Sequence, residues 1–469
     1  MPINLRSHFL EGSYFMPKNF QQQTLENNFV PSFRLSDTQI KEQKIELWNR
    51  FVDSGLIGIT EEDCGVLPRL LPYSYFKEIE KTAYNITNFV LKLLSLPANE
   101  VKAIIPNGPI RDFLIDELQV LKYRKNRITG SFRFDMAIVG EPIKGNSPKL
   151  LEINEIGFGG LTRVTFIQQT MLSLLPELAK NKYVLDATRA EIKNFLRLGK
   201  KFARFQYDAY DWEEQVLLKE SSLKGIDLKL ISPQVLGFEF SSHDYPLLQR
   251  LPIKFKKNKI IIGKKEEFKP DFLQMGYSFE LNDYLRAPQM YQNIVRSETP
   301  QYSPFLTGLV ASKSILVLLS DKNLRKKLLG NDSNLNSAIL HSDLLSNIKN
   351  NVKTDHRNFV LKHVDGLGGE KVYFDDRLLN QLKNIKKNEE SHYVAQERTK
   401  LNVLNVEGTL SKKHKVISDL GVFVQYDWSN GKFNHFEVGG FITRATNKSY
   451  KVNVSEGGMQ IPVFFDKAS

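Results

Sequence analysis

The spacing of apolar residues divides the chain into a helical beginning and a longer part in which strands and helices alternate. Apolar residues recur at helical intervals over 79–96 and 110–121, which predicts that the first 130 residues are mainly helical. From Ser131 the pattern changes to the alternating runs FRFDMAIVG and PKLLEINEIG. These runs predict two strands, followed by a turn and by a helix over 164–178.

The chain from residue 182 onward carries a mixed pattern. Short apolar runs alternate with helical ones over 182–306, including a helix over 282–293, which predicts an α/β layer domain. A further helix is predicted over 309–329 and ends at the polar segment 330–333. Beyond it, strands and one helix near 378–385 alternate up to Phe465. The pattern as a whole predicts a protein of the α+β or α/β class.

Polar side chains alternate with apolar ones on the first two predicted strands. Arg133 and Asp135 share one strand face, and Glu152 and Asn154 share a face of the next strand, because side chains alternate along a strand. If the strands pair, the four side chains converge. Two carboxylates and an amide oxygen are ligands that Mg²⁺ prefers, and arginine suits phosphate or carboxylate. The alternative is an exposed polar face on which Asp135 or Glu152 merely pairs with Arg133.

A glycine-rich segment separates two predicted strands in FVLKHVDGLGGEKVYF. Lys362 ends the first strand, and Gly366, Gly368 and Gly369 form the turn. Glycines let backbone N–H groups approach phosphate oxygens closely, and the lysine adds a positive charge. The segment therefore fits a phosphate-binding lid, with a plain hairpin turn as the alternative. Neither G-x-x-x-x-G-K-[ST] nor G-x-G-x-x-G occurs in the chain.

Polar residues also occupy the predicted C-terminal strands. Gln396 and Glu397 end the strand YVAQE, and an extended segment with exposed backbone groups there would suit an adenine edge. A strand with an ordinary polar end is the alternative. Arg444 lies in the otherwise apolar strand GGFITRAT, where a buried guanidinium needs an anionic partner such as phosphate. The eight histidines show no metal-ligand spacing, so zinc is disfavoured.

Composition narrows the class of protein further. The 469 residues, 41% of them hydrophobic, allow two or three packed domains. The net charge of +12 indicates anionic partners, and the lysines around Ile260 could form a nucleic-acid patch or simply flank a hairpin. A single cysteine, Cys64, cannot form an internal disulfide. The absence of a long apolar stretch and of a recognisable signal peptide predicts a cytoplasmic protein without membrane partners.

Taken together, these segments resemble the circularly permuted ATP-grasp ligases, the group that includes the synthetase part of glutathionylspermidine synthase. In that family an R-x-D strand and an E-x-N strand bind magnesium and precede the nucleotide lid. Here RFD and EIN precede VLKHVDGLGGEKV in the same order. The stretch SPFLTGLVASKSILVLLSD, with Lys313, looks like the start of the ATP-binding domain. YVAQE looks like the adenine-binding linker, and GFITRATNKSYKVNVSEGG like the segment that supplies an arginine to the phosphates.

The resemblance implies a circularly permuted ATP-grasp fold with a pre-ATP-grasp α/β domain and a helical N-terminal region. The expected divisions are a helical region at 1–130, a metal-binding strand pair at 131–181, a pre-ATP-grasp-like domain at 182–308, and the nucleotide-binding subdomains at 309–469. The turn EIGFGG departs from the family, in which a proline is more common. The first 130 residues match no part of the family.

The resemblance also implies an activity: a carboxylate–amine ligase that uses ATP and Mg²⁺, or Mn²⁺ in its place, through an acyl phosphate. Its substrates would be an amine and a small-molecule or peptide carboxylate, and a homo-oligomer is compatible with the sequence. The implied catalytic residues are Arg133 and Arg444, the implied ATP-binding residues are Lys313, Lys362, Gly366, Gly368, Gly369, Gln396 and Glu397, and the implied metal ligands are Asp135, Glu152 and Asn154. The alternatives are an inactive nucleotide-binding regulatory protein, a basic nucleic-acid-binding protein and a kinase.

Overall fold

The computed structural model describes most of the chain between residues 68 and 466. The described residues are 38, 42, 45, 46, 49, 50, 68–105, 115, 127–155, 160–174, 182–205, 211–233, 249–263, 266–275, 288–330, 333–364, 371–407, 413–446 and 459–466. Within these residues, no helix combines the length and the apolar character needed to cross a bilayer.

An eight-stranded sheet, here called the central sheet, forms the middle of the molecule. Six strands follow the order β1-β18-β17-β16-β2-β3, β15 pairs with β16, and β4 pairs with β18. All pairs are antiparallel except β1 with β18. The strands are β1 (Arg69–Pro72), β2 (Ile128–Ala137), β3 (Lys149–Asn154), β4 (Lys182–Tyr183), β15 (Asn402–Glu407), β16 (Lys413–Ser429), β17 (Lys432–Thr446) and β18 (Met459–Asp466).

The long hairpin of β16 and β17 is set by its turn. Asn430 and Gly431 both have positive φ angles, 51° and 82°, and asparagine followed by glycine is the sequence that favours a two-residue hairpin turn of this kind. The hairpin carries the middle of the central sheet, because β2 pairs with the opposite edge of β16 over nine residue pairs.

The central sheet is covered on both faces by helices. The inner residues of one face include Phe132, Phe134 and Val422, which pack in the same core as α1 (Tyr73–Leu94). On the other face, α3 (Leu161–Leu174) and α4 (Ala187–Phe195) pack against Phe423 and Ile442. The second face also carries the polar residues described below, and we call it the polar face.

A second sheet follows in the chain, with the order β10-β5-β6-β7 and all strands parallel. Helix α5 (Asp211–Leu223) connects β5 to β6, as a parallel pair requires. Phe195, Phe202 and Phe272 form its core, in which the last two rings stack with centroids 4.4 Å apart. Its strands are β5 (Lys201–Phe205), β6 (Asp227–Pro233), β7 (Gln249–Leu251) and β10 (Phe272–Met275).

A third, antiparallel sheet has the order β11-β14-β12-β13. It packs on α10 (Leu345–Thr354) and α11 (Asp375–Asn384) through a small core that includes Leu361, Leu378 and Ala395. The strands are β11 (Ser342–Leu344), β12 (Phe359–His363), β13 (Val372–Tyr373) and β14 (Tyr393–Glu397), and the separate lysine-flanked hairpin is β8 (Ile253–Lys256) with β9 (Lys259–Ile262).

Several predicted elements have different bounds in the structure. The helix predicted over 309–329 is three helices, because the backbone leaves the helix at Ser312 and again at Asp321, whose carboxylate caps the last helix. The strand β1 was not predicted, since its four residues are too few to show a period. The helices not yet given are α2 (Ala98–Ile104), α6 (Pro288–Arg296), α7 (Gly308–Ala311), α8 (Ser314–Ser320) and α9 (Lys322–Leu329). Residues 276–287, and 110–121 apart from Ile115, lie outside the described residues.

Candidate functional site

The polar residues predicted on two strands meet on the polar face of the central sheet. Strands β2 and β3 pair antiparallel, with Arg133 opposite Asn154 and Asp135 opposite Glu152. Paired residues point to the same side of a sheet, so the four side chains converge as the sequence predicts. The geometric part of the prediction is therefore confirmed.

Asp135 lies at the centre of this group and is 1% exposed. Arg133 donates to both of its oxygens, Nε to Oδ1 at 2.9 Å and Nη2 to Oδ2 at 3.2 Å. Asn154 donates to Oδ2 at 3.0 Å, and Arg444 Nη2 lies 2.8 Å from the same oxygen. Two arginines and an amide thus surround one carboxylate, which holds all three side chains in place.

Arg444 is anchored by a second carboxylate that the sequence analysis missed. Asp419 on β16 lies directly opposite Arg444 on β17, accepts from its Nε at 3.1 Å and also contacts its Nη2. Burial, with the like charge of Asp135, raises the pKa of Asp419 to about 6 despite the arginine. An aspartate inside the apolar run VISDLGVF was the available signal, by the same reasoning that singled out Arg444.

Glu152 is surrounded by cations. Lys313 Nζ lies 3.4 Å from Glu152 Oε2, and the Asn154 amide lies 3.4 Å from Oε1. Burial alone would raise the pKa of Glu152, but the positive charges around it, Lys313 first, hold that pKa well below the usual range. Glu152 is therefore ionised at neutral pH, and both of these described contacts to its oxygens are long, at 3.4 Å.

Lys362 joins the third sheet to the central sheet at this point. Its Nζ donates to the Leu151 carbonyl at 2.8 Å, and its side chain is 7% exposed. Burial, with the charge of Lys313, lowers the pKa of Lys362 to about 8. The Lys313 amide donates to the Val364 carbonyl at 2.9 Å. The two lysines and Glu152 thus come together from three separate parts of the chain.

The remaining predicted residues are placed in part. Gln396 is buried and donates to the Leu150 carbonyl of β3 at 3.4 Å. The Glu397 side chain is exposed. Exposed backbone groups were expected here, but the amides of Glu397 and Arg398 already bond to the carbonyls of His341 at 2.7 Å and Asn358 at 2.8 Å. Gly366, Gly368 and Gly369 lie outside the described residues.

The missing side chain at Gly421 leaves space for the Arg133 side chain. A Cβ atom at Gly421 would lie 2.7 Å from Ile442 Cγ2 and 3.5 Å from Arg133 Cδ. Gly421 pairs with Asp135 across β16 and β2. The arginine stem therefore lies over a strand position that has no side chain of its own.

We call the seven ionisable residues of this site the charged cluster: Arg133, Asp135, Glu152, Lys313, Lys362, Asp419 and Arg444. Four cations face three carboxylates, so the described part of the cluster has a net charge of +1 when all are ionised. A largely buried excess of positive charge is suited to a polyanion, because low local dielectric strengthens the attraction.

The donor set fits a hard divalent cation in part. Glu152 keeps two loosely held oxygens, and Asn154 has an amide oxygen beside it. Asp135 could complete the set only if an arginine released one of its oxygens. Among the described residues, no three His, Cys, Asp or Glu side chains form a metal-binding group. A metal here would therefore need other oxygen ligands, such as phosphates and water.

Comparison with known proteins finds a family model that matches part of the chain and a structure that is similar over most of it. A sequence model of the ATP-binding domain of eukaryotic glutathione synthase matches residues 309–461, about a third of the chain. The structure is similar to that of a glutathione synthetase-like effector from Globodera pallida in its apo form, with a TM-score of 0.66, 13% identity, and 93% of this chain and 99% of that chain covered. No curated protein sequence matches the chain.

Two further structures give much lower scores. The ATP-grasp ligase PsnB with a minimal precursor has a TM-score of 0.27, 11% identity and coverage of 57% of this chain and 89% of its own. D-alanyl-alanine synthetase A from Vibrio cholerae has a TM-score of 0.23 and 10% identity, with 58% of this chain and 89% of that chain covered. The α+β ATP-grasp fold class predicted from the sequence is confirmed, whereas the matching family model is that of glutathione synthase and not of the glutathionylspermidine synthase group.

Proposed function

We propose that this chain is an ATP- and Mg²⁺-dependent ligase that joins a carboxylic acid to an amine through an acyl phosphate. The observation that carries the proposal is the charged cluster, in which two arginines of the central sheet, Lys362 of the third sheet and Lys313 at the start of α8 surround Glu152. The order of the segments, with the R-x-D and E-x-N strands ahead of Lys313 and Lys362, supports a circularly permuted ATP-grasp. The single cysteine of the chain supports a cytoplasmic setting.

The proposed reaction has two steps. A carboxylate oxygen of the acid attacks the γ-phosphorus of ATP and ADP leaves; the amine then attacks the carbonyl carbon of the acyl phosphate and inorganic phosphate leaves. In such transfers the protein acts mainly by positioning and by neutralising charge. Lys313 and Lys362 would bind the triphosphate, and Gln396 with Glu397 would lie at the adenine.

The two arginines would act on the reacting groups. Arg444, which contacts Asp419 and Asp135 through Nε and Nη2, would stabilise charge that develops on the transferred phosphoryl group. Arg133 would hold the acid or the acyl phosphate. Glu152 and Asn154, with Asp135 as a third candidate, would hold the Mg²⁺ or Mn²⁺. A bound Mg²⁺ would neutralise phosphate charge and polarise the γ-phosphoryl group.

The acceptor screen that tests this proposal uses the purified chain with Mg-ATP and pooled carboxylic acids and amines. Release of ADP should depend on an acid, and mass spectrometry should find a product equal to acid plus amine minus water. The matched control is Glu152→Gln, which keeps the size of the side chain but removes its charge. Equal activity in wild type and Glu152→Gln would contradict the role of the cluster.

One observation favours a second function, that of an inactive nucleotide-binding protein. Both oxygens of Asp135 are bonded to arginines, which leaves Glu152 and Asn154 as the open metal ligands. Such a protein would bind ATP in a calorimetric titration but release no ADP with any acid in the screen. A kinase would stop at a phosphorylated product without the amine.

A further inference from the structure

A buried arginine lies behind the charged cluster without a carboxylate of its own. Arg69, on β1, is 6% exposed, and its one described hydrogen bond runs from Nη1 to Thr443 Oγ1 at 3.1 Å. Within the part of the chain that the structure describes, its Nη2 has no hydrogen-bond partner. A guanidinium buried on these terms is costly, because a single neutral hydroxyl does not replace the water that the ion has lost.

The sheet register places this arginine directly behind the Arg444–Asp419 pair. Asp419 pairs with Arg444, and the next residues, Leu420 and Thr443, pair with each other. Successive side chains point to opposite faces of a sheet, so Thr443 and Arg69 lie on the apolar face while the ion pair lies on the polar face. One layer of backbone separates the guanidinium from the ion pair.

Arg69 interacts electrostatically with Asp419 across that layer. Burial lowers the pKa of Arg69 to about 10, and the two groups that oppose this effect are the Tyr75 hydroxyl on α1 and the Asp419 carboxylate. Asp419 in turn faces Arg444, Asp135 and Arg133 from the neighbouring strands. Asp419 thus lies between two arginines, one on each face of the sheet.

We infer that Arg69 is a positioning residue for the triphosphate site: its charge offsets that of Asp419 through the sheet, so that more of the charge of Arg444 acts on phosphate. The inference rests on the proposed nucleotide-binding function and extends it to the back of the sheet. It also accounts for a charged residue on a face otherwise built from residues such as Phe441 and Val463. A packing role alone would be served better by leucine or methionine.

The test uses isothermal titration calorimetry to compare how wild type and Arg69 variants of the full chain bind a non-hydrolysable ATP analogue with Mg²⁺. Arg69→Met should weaken binding about tenfold, the size expected for one unit charge at roughly 10 Å in a partly buried setting, and should lower its salt dependence. Arg69→Lys keeps the charge and should recover most of the affinity. Arg69→Met should also melt at the same or a higher temperature than wild type, which a purely structural residue would not do.

The matched control is Arg325→Met. Arg325 is also 6% exposed, but it lies on α9 and donates to the Leu319 carbonyl and to Asn336, away from the charged cluster. Its replacement should leave affinity within about twofold of wild type, since its charge is remote from the cluster. A comparable loss in Arg325→Met and Arg69→Met would overturn the inference.

A second variant separates charge from hydrogen bonding. Thr443→Val removes the hydroxyl but keeps both arginines, so nucleotide affinity should not change. Loss of affinity in Thr443→Val, or wild-type affinity in Arg69→Met, would refute the role of the Arg69 charge while leaving nucleotide binding intact. Failure of the wild-type chain to bind the nucleotide would instead refute the proposed function, and this inference with it.

Discussion

Two regions of the same sheet face contain buried or partly buried carboxylates whose pKa values are shifted in opposite directions. In the charged cluster, the pKa of Glu152 is held well below its usual range. Four residue pairs along β16 from the Gly421–Asp135 pair, Gln425 lies near another buried carboxylate, Glu191 of α4. Burial raises the pKa of Glu191 to about 7. We call this second region, formed by Glu191, Gln425, Ser131, Tyr302 and Arg204, the junction.

The Glu152 side chain is 24% exposed and Glu191 is 5% exposed, and the two carboxylates also differ in their neighbours. Glu152 has four cations acting on it, whereas Glu191 has Arg204 and otherwise neutral hydroxyl and amide groups. Both carboxylates lose water, but only the first regains the loss through opposite charge. Buried carboxylates surrounded by an excess of cations indicate a site for an anion. A buried acid among mostly neutral groups indicates a contact between two sheets whose stability depends on pH.

The largest expected effect is that of Arg444→Met in the charged cluster. This change leaves Asp419 without its bidentate partner and removes one of two arginines from Asp135. We expect the free energy of unfolding to fall by about 3–5 kcal/mol, as when one partner of a buried ion pair is removed. Urea denaturation measures it. Arg444→Lys should recover part of the stability, and an unchanged denaturation midpoint in Arg444→Met would contradict the assignment.

Glu152→Gln should separate function from stability in the same cluster. The substitution keeps the shape of the side chain, so the fold should be retained, but the ligand for a metal and the counter-charge for Lys313 are lost. We expect acid-dependent ADP release to fall by about two powers of ten or more. Circular dichroism serves as the folding control. A loss of activity that follows only from unfolding would weaken the comparison between the two regions.

At the junction, the expected effect is on the pH dependence of stability. Folding raises the pKa of Glu191 from 4.5 to about 7, so the folded chain binds more protons between these values. Stability from this group is therefore full below pH 4.5 and is lost as pH rises to about 7. The difference between these two pKa values corresponds to about 3 kcal/mol in the free energy of unfolding.

Glu191→Gln tests this directly. The neutral amide should remove the decline, so the variant should gain stability over wild type at pH 8 and not at pH 4.5, as measured by urea denaturation at both values. Glu141→Gln, at an exposed glutamate, should follow the wild-type curve. Parallel curves for wild type and Glu191→Gln would show that folding does not raise the pKa of Glu191.

The sequence predicts the parts of this comparison unequally. Alternation along two strands was enough to bring Arg133, Asp135, Glu152 and Asn154 together, because strand pairing is local in that segment. Asp419 could have been found by the reasoning applied to Arg444. The junction could not, since Glu191 lies on an amphipathic helix whose neighbours come from three other elements, and only the packed fold shows that it is buried.

The resemblance assigns Lys362 and Glu152 to one nucleotide site, but it does not predict the hydrogen bond from Lys362 to the Leu151 carbonyl. No pattern in the sequence fixes how the third sheet docks on β3, because docking depends on the packing of β12 and β14 against residues far away in the chain. The break of the 309–329 helix at Ser312 is of the same kind, because the amide of the next residue, Lys313, bonds to the Val364 carbonyl, a tertiary contact that periodicity does not show.

The smallest expected effects come from a matched pair of glycine substitutions, one in each region. A Cβ at Gly421 would crowd Ile442 and touch Arg133, and a Cβ at Gly439 would lie 2.2 Å from Gln425 Oε1 and 2.7 Å from Ala190 Cβ. Each alanine should cost about 1–3 kcal/mol through overpacking. Only Gly421→Ala should also weaken Mg-nucleotide binding, because it alone displaces a residue of the charged cluster. If Gly439→Ala weakened binding equally in a calorimetric titration, the junction and the charged cluster would have to be treated as one site, since a change confined to the junction would then reach the phosphates.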